Sequence, residues 1–286
     1  MKRQPSKPVR RTKSRKNSKK ITQGKILKYS ALLLFCGFLV AMAYQYRHGF
    51  LYWLGFKTDK RVEALSKEER RIENLRIYEI VARHKEKVFG IDVSHYQDKI
   101  DWEKLKNNNE EFPLGFVFVR ATAGKNKVDS EFKNNWRGAK EQGYLRGAYH
   151  YYRPDENSLK QADNFIKNVK LSKGDLPPVL DIEKIPNGQS LDSLQVGLKR
   201  WLDKVEDHYG MKPIIYSGES FYTDFLKEEF EGYDLWVASY SFFEDEIRND
   251  WLIWQFTDKG ELKGIKGMID VDIYNGNMEE LRQLCK

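Results

Sequence analysis

From residue 88 onward the chain alternates short apolar runs with amphipathic or charged stretches. Val88 to Ser94, Gly115 to Ala121, Arg146 to Tyr152, Pro178 to Ile182, Pro213 to Ser217, Leu235 to Ser239, Leu252 to Phe256 and Met268 to Val271 are rich in β-branched and aromatic residues and predict eight strands. Between several of them, residues 131–142, 157–170, 191–209 and 220–228 predict helices, with Ser190 or Asp192 as the cap of the third. Repeated β–α units of this kind build a parallel sheet with helices packed outside it. Asp245 to Asn249 and Asp258 to Gly267 leave little room for helices, so the expected fold is an α/β (β/α)-barrel whose helical layer is incomplete in its last units. An open doubly wound sheet is the alternative. No glycine-rich phosphate loop follows the first strand, which removes the nucleotide-binding form of that fold.

Upstream of the barrel the pattern changes twice. Residues 57–87 are dense in Lys, Arg and Glu, with Val62, Leu65, Ile72, Leu75, Tyr78 and Val81 at approximately helical spacing. They read either as a helical stalk or as a solvated charged linker. Tyr29 to Tyr46 is apolar and uncharged, bounded by Lys28 and Arg47 and followed by Phe50, Leu51, Tyr52 and Trp53. Such a run is just long enough to span a bilayer, and the aromatic cluster suits its interface. The organisation expected is therefore a basic cytoplasmic tail (1–28), a transmembrane anchor (29–46), a charged juxtamembrane stalk (47–87) and a barrel domain (88–286). Ala41-Met42-Ala43 fits a signal-peptidase site and supports a cleaved signal as the rival reading.

Charge sharpens this division. The chain of 286 residues has a formal net charge of +8, from 50 Lys and Arg against 42 Asp and Glu. Twelve of the basic residues lie in the first 28 positions, which hold no acid, so the remainder carries 38 basic residues and is slightly acidic. A nucleic-acid partner loses its support, because the basic excess belongs to a tail that precedes an apolar run. By the positive-inside rule that tail stays cytoplasmic and the barrel is extracytoplasmic. Cys36 and Cys285 are the only cysteines, and one lies in the predicted span, so no internal disulfide framework is expected. His48, His84, His95, His150 and His208 show no ligand spacing. Neither a metal nor another cofactor is expected.

Barrel chemistry emerges at the C-terminal ends of strands, and acids occur near that position in Gly90-Ile91-Asp92-Val93-Ser94, in Val179-Leu180-Asp181-Ile182-Glu183 and in Ile269-Asp270-Val271-Asp272. A single Asp is more often a cap or a solvated loop residue. Asp181 and Glu183, however, lie two apart in an apolar extended segment, so they share a face, and mutual repulsion raises the proton affinity of at least one. That arrangement suits general acid catalysis. Asp92 and Asp270 are candidates by position, and Asp272 is a weaker one. Tyr149, Tyr216, Trp236, Tyr240 and Trp254 fall in or just after strands and are candidate sugar-stacking residues, although any one of them could equally be core. His150 reads as a hydrogen-bonded structural residue rather than a catalyst.

Taken in order, GIDVSHYQ (90–97), FVFVRATAG (116–124) with Asp129 and Phe132, GAYHYY (147–152), PVLDIE (178–183), KPIIYSG (212–218), LWVASY (235–240), IWQF (253–256) and IDVDIYNG (269–276) resemble glycoside hydrolase family 25, the family of Chalaropsis-type lysozymes and phage muramidases. Ala123 departs from the glutamate common at that place in the family. The resemblance implies a peptidoglycan muramidase that hydrolyses the β-1,4 bond between N-acetylmuramic acid and N-acetylglucosamine. It assigns Glu183 as the catalytic acid, Asp181 as its partner carboxylate, and Asp92 and Asp270 as further acids lining the site. Whether a protein carboxylate attacks, whether Asp92 or Asp270 activates water as base, or whether the substrate's own acetamido group attacks while Asp181 orients it is open at this stage, the last being preferred. A chitinase-like glycosidase and a non-catalytic glycan-binding module are the alternative functions.

Overall fold

The computed structural model describes Tyr29 and residues 65–107, 112–241 and 244–286. Apart from Tyr29, the predicted anchor lies outside the described residues, as do the basic tail and the first part of the predicted stalk. Among the described residues no helix is long and apolar enough to cross a membrane.

The elements in chain order are α1 (Lys67–Arg83), β1 (Val88–Val93), a 3-10 turn (His95–Gln97), α2 (Trp102–Asn107), β2 (Leu114–Ala123), β3 (Lys127–Val128), α3 (Phe132–Glu141), β4 (Leu145–Tyr151), α4 (Ser158–Asn168), β5 (Val179–Asp181), α5 (Leu191–Tyr209), β6 (Ile214–Gly218), α6 (Glu219–Phe225), α7 (Lys227–Phe230), β7 (Leu235–Ala238), β8 (Ile253–Gly260), β9 (Ile269–Tyr274) and α8 (Met278–Gln283). The sheet order β1-β9-β8-β7-β6-β5-β4-β2, with β1 also paired to β2, closes an eight-stranded barrel. β3 adds only a short antiparallel hairpin on the end of β2.

Seven barrel strands are parallel. The last is not: β9 runs antiparallel to both β8 and β1, with Asp92 opposite Asp270 and Gln255 opposite Asp272. The uniform parallel sheet expected from the alternating pattern is corrected here. The segment between β8 and β9 is too short to return a chain across the barrel, whereas a hairpin between antiparallel strands needs only a few residues.

Strand alternation separates two cores. Val88, Phe116, Phe118, Tyr149, Val179, Ile214, Tyr216, Trp236, Ile253 and Tyr274 form the inner core, joined at the N-terminal end of the barrel by Leu281 of α8. The intervening residues, among them Ile91, Val117, Leu180, Val237, Trp254 and Ile273, face outward against the helices. Gly90 and Gly147 make the interior fit: a Cβ on Gly90 would stand 2.2 Å from the Phe116 ring, and one on Gly147 2.1 Å from that of Phe118. Even alanine there would force two phenyl rings from a packed interior.

α5 illustrates how the outer layer forms. Ser190 Oγ accepts the Ser193 N–H, and Gly210 ends the helix at φ 67°. One face, Leu194, Leu198, Trp201, Leu202, Val205 and Tyr209, is buried on the sheet. Truncating one of these leucines to alanine costs about 2–5 kcal/mol.

The charged stretch ahead of the barrel does not run free as far as residue 87. α1 starts at a capping box between Ser66 and Glu69, and it packs on the barrel through Ile80, with Ile77 and Val81 beside it. Ile72, Leu75 and Tyr78 face outward.

Candidate active site

The inward phase of the strands brings the predicted acids together at one rim. Asp92 ends the inward series of β1, and Asp181 closes β5 with its side chain inward. Glu183, two residues on, lies on the same side and is more open than the buried Asp181. Asp270 reaches this rim from the opposite chain direction. It lies near the start of β9, directly across from Asp92 near the end of β1, because the two strands are antiparallel.

Three tyrosines register the crowding of negative charge. Burial holds the Tyr149 phenol well above its ordinary pKa, with Asp92, Asp181 and Asp270 pushing the same way and Arg120 opposing. Tyr216 is likewise raised by burial, then by Tyr240, Glu183, Asp181 and Asp92. For Tyr240, whose hydroxyl end is enclosed at Gln255 although its ring is open, the causes after that enclosure are Asp270, Asp258, Glu183 and Asp92. Glu183, Asp181, Asp92 and Asp270 therefore act on one small set of phenols. All three phenols remain protonated hydrogen-bond donors at neutral pH.

The donations of Tyr216 and Tyr240 fix a network that ends on Asp92. Tyr216 Oη donates to Gln255 Oε1 at 2.9 Å, and Tyr240 Oη donates to the same oxygen. With its oxygen so occupied, Gln255 presents Nε2 to Asp92 Oδ2 at 2.7 Å. A neutral amide thus links two phenols to a carboxylate. Gln255 carries no sequence signature of its own. Its inward phase, two positions on from Ile253, was the available signal.

The candidate stacking residues divide. Trp236 is 2% exposed and forms the floor beneath the acids, its ring 4.7 Å from Phe118 and 4.8 Å from Tyr216, while its Nε1 donates to Asp272 Oδ1 at 2.8 Å. Asp272 is accordingly a buried partner of the floor. Tyr149 and Tyr216 are buried as well, so their contribution is through hydroxyls and edges. Tyr240, 44% exposed, offers an open ring face. Trp254 is corrected: it points outward from β8 into the helix-facing core, is fully buried, and donates Nε1–H to Ser239 O at 2.8 Å.

Beside the acids, Arg120 projects inward from β2, donating through Nε to Asp129 Oδ2 at 2.9 Å and lying 4.9 Å over the Tyr96 ring. Asp129 also accepts the backbone N–H of His95 at 3.1 Å. This cation at the rim was not singled out in the sequence, because one Arg within an apolar strand has no motif until its phase is known.

His150 faces away from the site. Gln161 has its amide orientation set by backbone groups: its Oε1 accepts Arg153 N–H and its Nε2 donates to Arg153 O and Glu156 O. His150 Nε2 therefore donates to that Oε1 at 3.1 Å, leaving Nδ1 to accept from Thr122 Oγ1 at 2.7 Å. The ring is a neutral, stacked member of the outer core, 5.5 Å from Trp201. Among the described residues no cluster of His, Cys, Asp or Glu could hold a metal ion.

A family model for glycosyl hydrolases family 25 matches residues 91–265. The YegX protein of Escherichia coli K12 is 42% identical over 200 residues, covering 68% of this chain and 72% of its own. Lysozyme M1 of Streptomyces globisporus is 31% identical over 214 residues, covering 69% of this chain and 71% of its own. A solved family 25 glycosyl hydrolase from Bacillus anthracis superposes with a TM-score of 0.64 at 31% identity, covering 71% of this chain and 95% of that one. Since the matched segment takes up more than half of the chain and contains Asp92, Asp181 and Glu183, the chain belongs to glycoside hydrolase family 25.

Proposed function

We propose that the protein is a peptidoglycan muramidase that cleaves the β-1,4 bond between N-acetylmuramic acid and N-acetylglucosamine. The observation that carries this reading is the convergence of Asp92, Asp181, Glu183 and Asp270 on one barrel rim, set by the inward phase of their strands and by the pairing of Asp92 with Asp270. Similarity to proteins named as lysozymes supports the substrate class.

In this reading Glu183, the most accessible of the acids, donates its proton to the leaving glycosidic oxygen as the sugar becomes oxocarbenium-like. Asp181 lies on the same face and orients the substrate's acetamido group, whose carbonyl oxygen bonds to C1 as the glycosidic C–O bond breaks. Water then adds at C1, opening the ring so formed and returning a proton to Glu183. A fixed anion at Asp181 also disfavours ionisation of its neighbour, which keeps the transferable proton available. Asp92 is held by Gln255 as a hydrogen-bond acceptor and, with Asp270 beside it, faces the positive charge that develops at the sugar ring. Tyr240 supplies the open aromatic face for a pyranose. We further infer that the apolar run 29–46 anchors the chain with the barrel on the extracytoplasmic side, where peptidoglycan lies.

The test is mass analysis of fragments released from purified, insoluble peptidoglycan. Products with N-acetylmuramic acid at the reducing end are expected. N-acetylglucosamine at that end would identify a different bond, faster release from chitin would favour the chitinase-like reading, and binding without release would make the protein a glycan-binding module.

A further inference from the structure

α1 lies before the segment matched by the family model, yet its side chains reach β8 beside Gln255 and the loop after β7 that carries Tyr240. Arg76, only 7% exposed, donates Nη1–H to Phe256 O at 2.7 Å and Nη2–H to Ser241 O at 3.0 Å. Phe256 follows Gln255, and Ser241 follows Tyr240. One planar guanidinium therefore bridges the backbone immediately after Gln255 and immediately after Tyr240, whose side chains meet at Gln255 Oε1.

Other contacts of α1 reach one of these segments and the chain beyond them. Glu73 accepts from Thr257 Oγ1, one residue beyond Phe256, and stands 3.6 Å from Arg76. Further along, His84 Nε2 meets Asp245 O at 2.9 Å, and Arg83 pairs with Asp245. The two bridged segments are joined to each other by Ser239 N–H donating to Gln255 O at 3.2 Å, a long bond at the rim end of the β7–β8 ladder. A buried cation is costly unless it is hydrogen-bonded and paired; Nη1 and Nη2 are bonded to carbonyls beside the site and Glu73 stands close, while Nε is buried without a hydrogen bond among the described residues.

We propose that α1 is part of the active-site scaffold and that Arg76 is a positioning residue, acting through the 240–241 and 255–256 backbones to hold Tyr240 and Gln255 against Asp92. The proposal rests on the muramidase reading for its kinetic test and on backbone dynamics independently of it.

The experiment compares the full chain with Arg76→Met, Arg76→Lys and Tyr240→Phe, together with the Arg76→Met/Tyr240→Phe double variant and an outward-face control, Tyr78→Ser. Arg76→Met is expected to lower kcat on peptidoglycan by about tenfold with KM within about twofold, and Arg76→Lys to fall between it and the parent. In the Tyr240→Phe background the same substitution should lower kcat by about three- to fivefold, less than in the parent, because the Tyr240 hydroxyl is already absent while Gln255 still depends on Arg76. Tyr78→Ser should match the parent. Hydrogen exchange should speed up at residues 238–241 and 254–257 in Arg76→Met while β4 and β5 stay protected. Equal fold-losses in both Tyr240 backgrounds, or a lowered Tm with unchanged kcat, would overturn the proposal. If the parent released no fragments, the muramidase reading would fail, and exchange in the two segments would still decide the role of Arg76: unchanged protection there rejects it. Should Arg76→Met not fold, Arg76→Lys carries the same kinetic and exchange comparisons.

Discussion

Glu183 and Asp181 share a face but not an environment, and that difference supports the proposed division of roles between them. Asp181 closes β5 and is buried, whereas Glu183 stands in the loop beyond it, where a glycosidic oxygen can reach it. Glu183→Gln keeps the shape and loses the proton, so hydrolysis of peptidoglycan is expected to fall by about 10²- to 10⁴-fold with glycan binding retained. Near-parental turnover would remove Glu183 as the acid. Gln255→Leu should also lower turnover, since Asp92 loses its amide donor, and should cost about 1–3 kcal/mol in urea unfolding because the buried Tyr216 hydroxyl loses its acceptor. The acid pair was legible in the sequence because two carboxylates at i and i+2 in an apolar run have few other uses. Trp254 was misread for the complementary reason. Counting aromatics ignores phase, and a residue between the inward Ile253 and Gln255 must face outward. Gln255 itself was hidden, because a neutral amide becomes informative only when the groups on both its ends are known.

At the scale of elements, apolar runs marked the strands well, since their ends follow from where β-branched and aromatic residues stop. Strand direction was not marked. Ile269–Tyr274 has the composition of its neighbours, and only the short connection from β8 hinted that it runs antiparallel. The docking of α1 was equally hidden, as its buried contacts include Arg76 and His84 as well as Ile80, which in sequence resemble the charges of a solvated linker. The β2–β4–α4 junction gives a prediction about pH. Burial holds His150 down at about 4 from an ordinary 6.5, against the opposing hydrogen bond to Gln161. The unfolded chain therefore takes up this proton first on acidification, and stability is lost as pH falls from about 6.5 towards 4, by up to about 3 kcal/mol. Carboxylates titrate in the same range, so urea unfolding of the parent is best compared with His150→Gln at pH 7 and pH 4. The stability gap between them should narrow at pH 4; a gap independent of pH would show that His150 is not the source.

For the whole molecule, the uneven distribution of charge bears on where the enzyme works. The first 28 residues hold twelve basic groups and no acid, and an uncharged run follows to Tyr46. Positive charge retained in the cytoplasm beside an uncharged span orients a single-pass protein with its C-terminal part outside. If the run is an anchor, Phe50, Tyr52 and Trp53 follow it in the sequence at the distance at which aromatic rings favour a membrane interface. A short-range enzyme tethered this way would meet peptidoglycan near the membrane rather than diffuse through it. The prediction is that the full-length chain sediments with membranes, resists extraction by carbonate and high salt, and dissolves in detergent, while a protease outside the sealed membrane reaches the barrel but not the basic tail. Salt-extractable protein would indicate attachment by charge alone, which screening removes. A soluble product beginning near Tyr44 would instead show cleavage after Ala41-Met42-Ala43 and a free extracytoplasmic enzyme, so N-terminal sequencing of the released fraction decides between a tethered and a secreted muramidase.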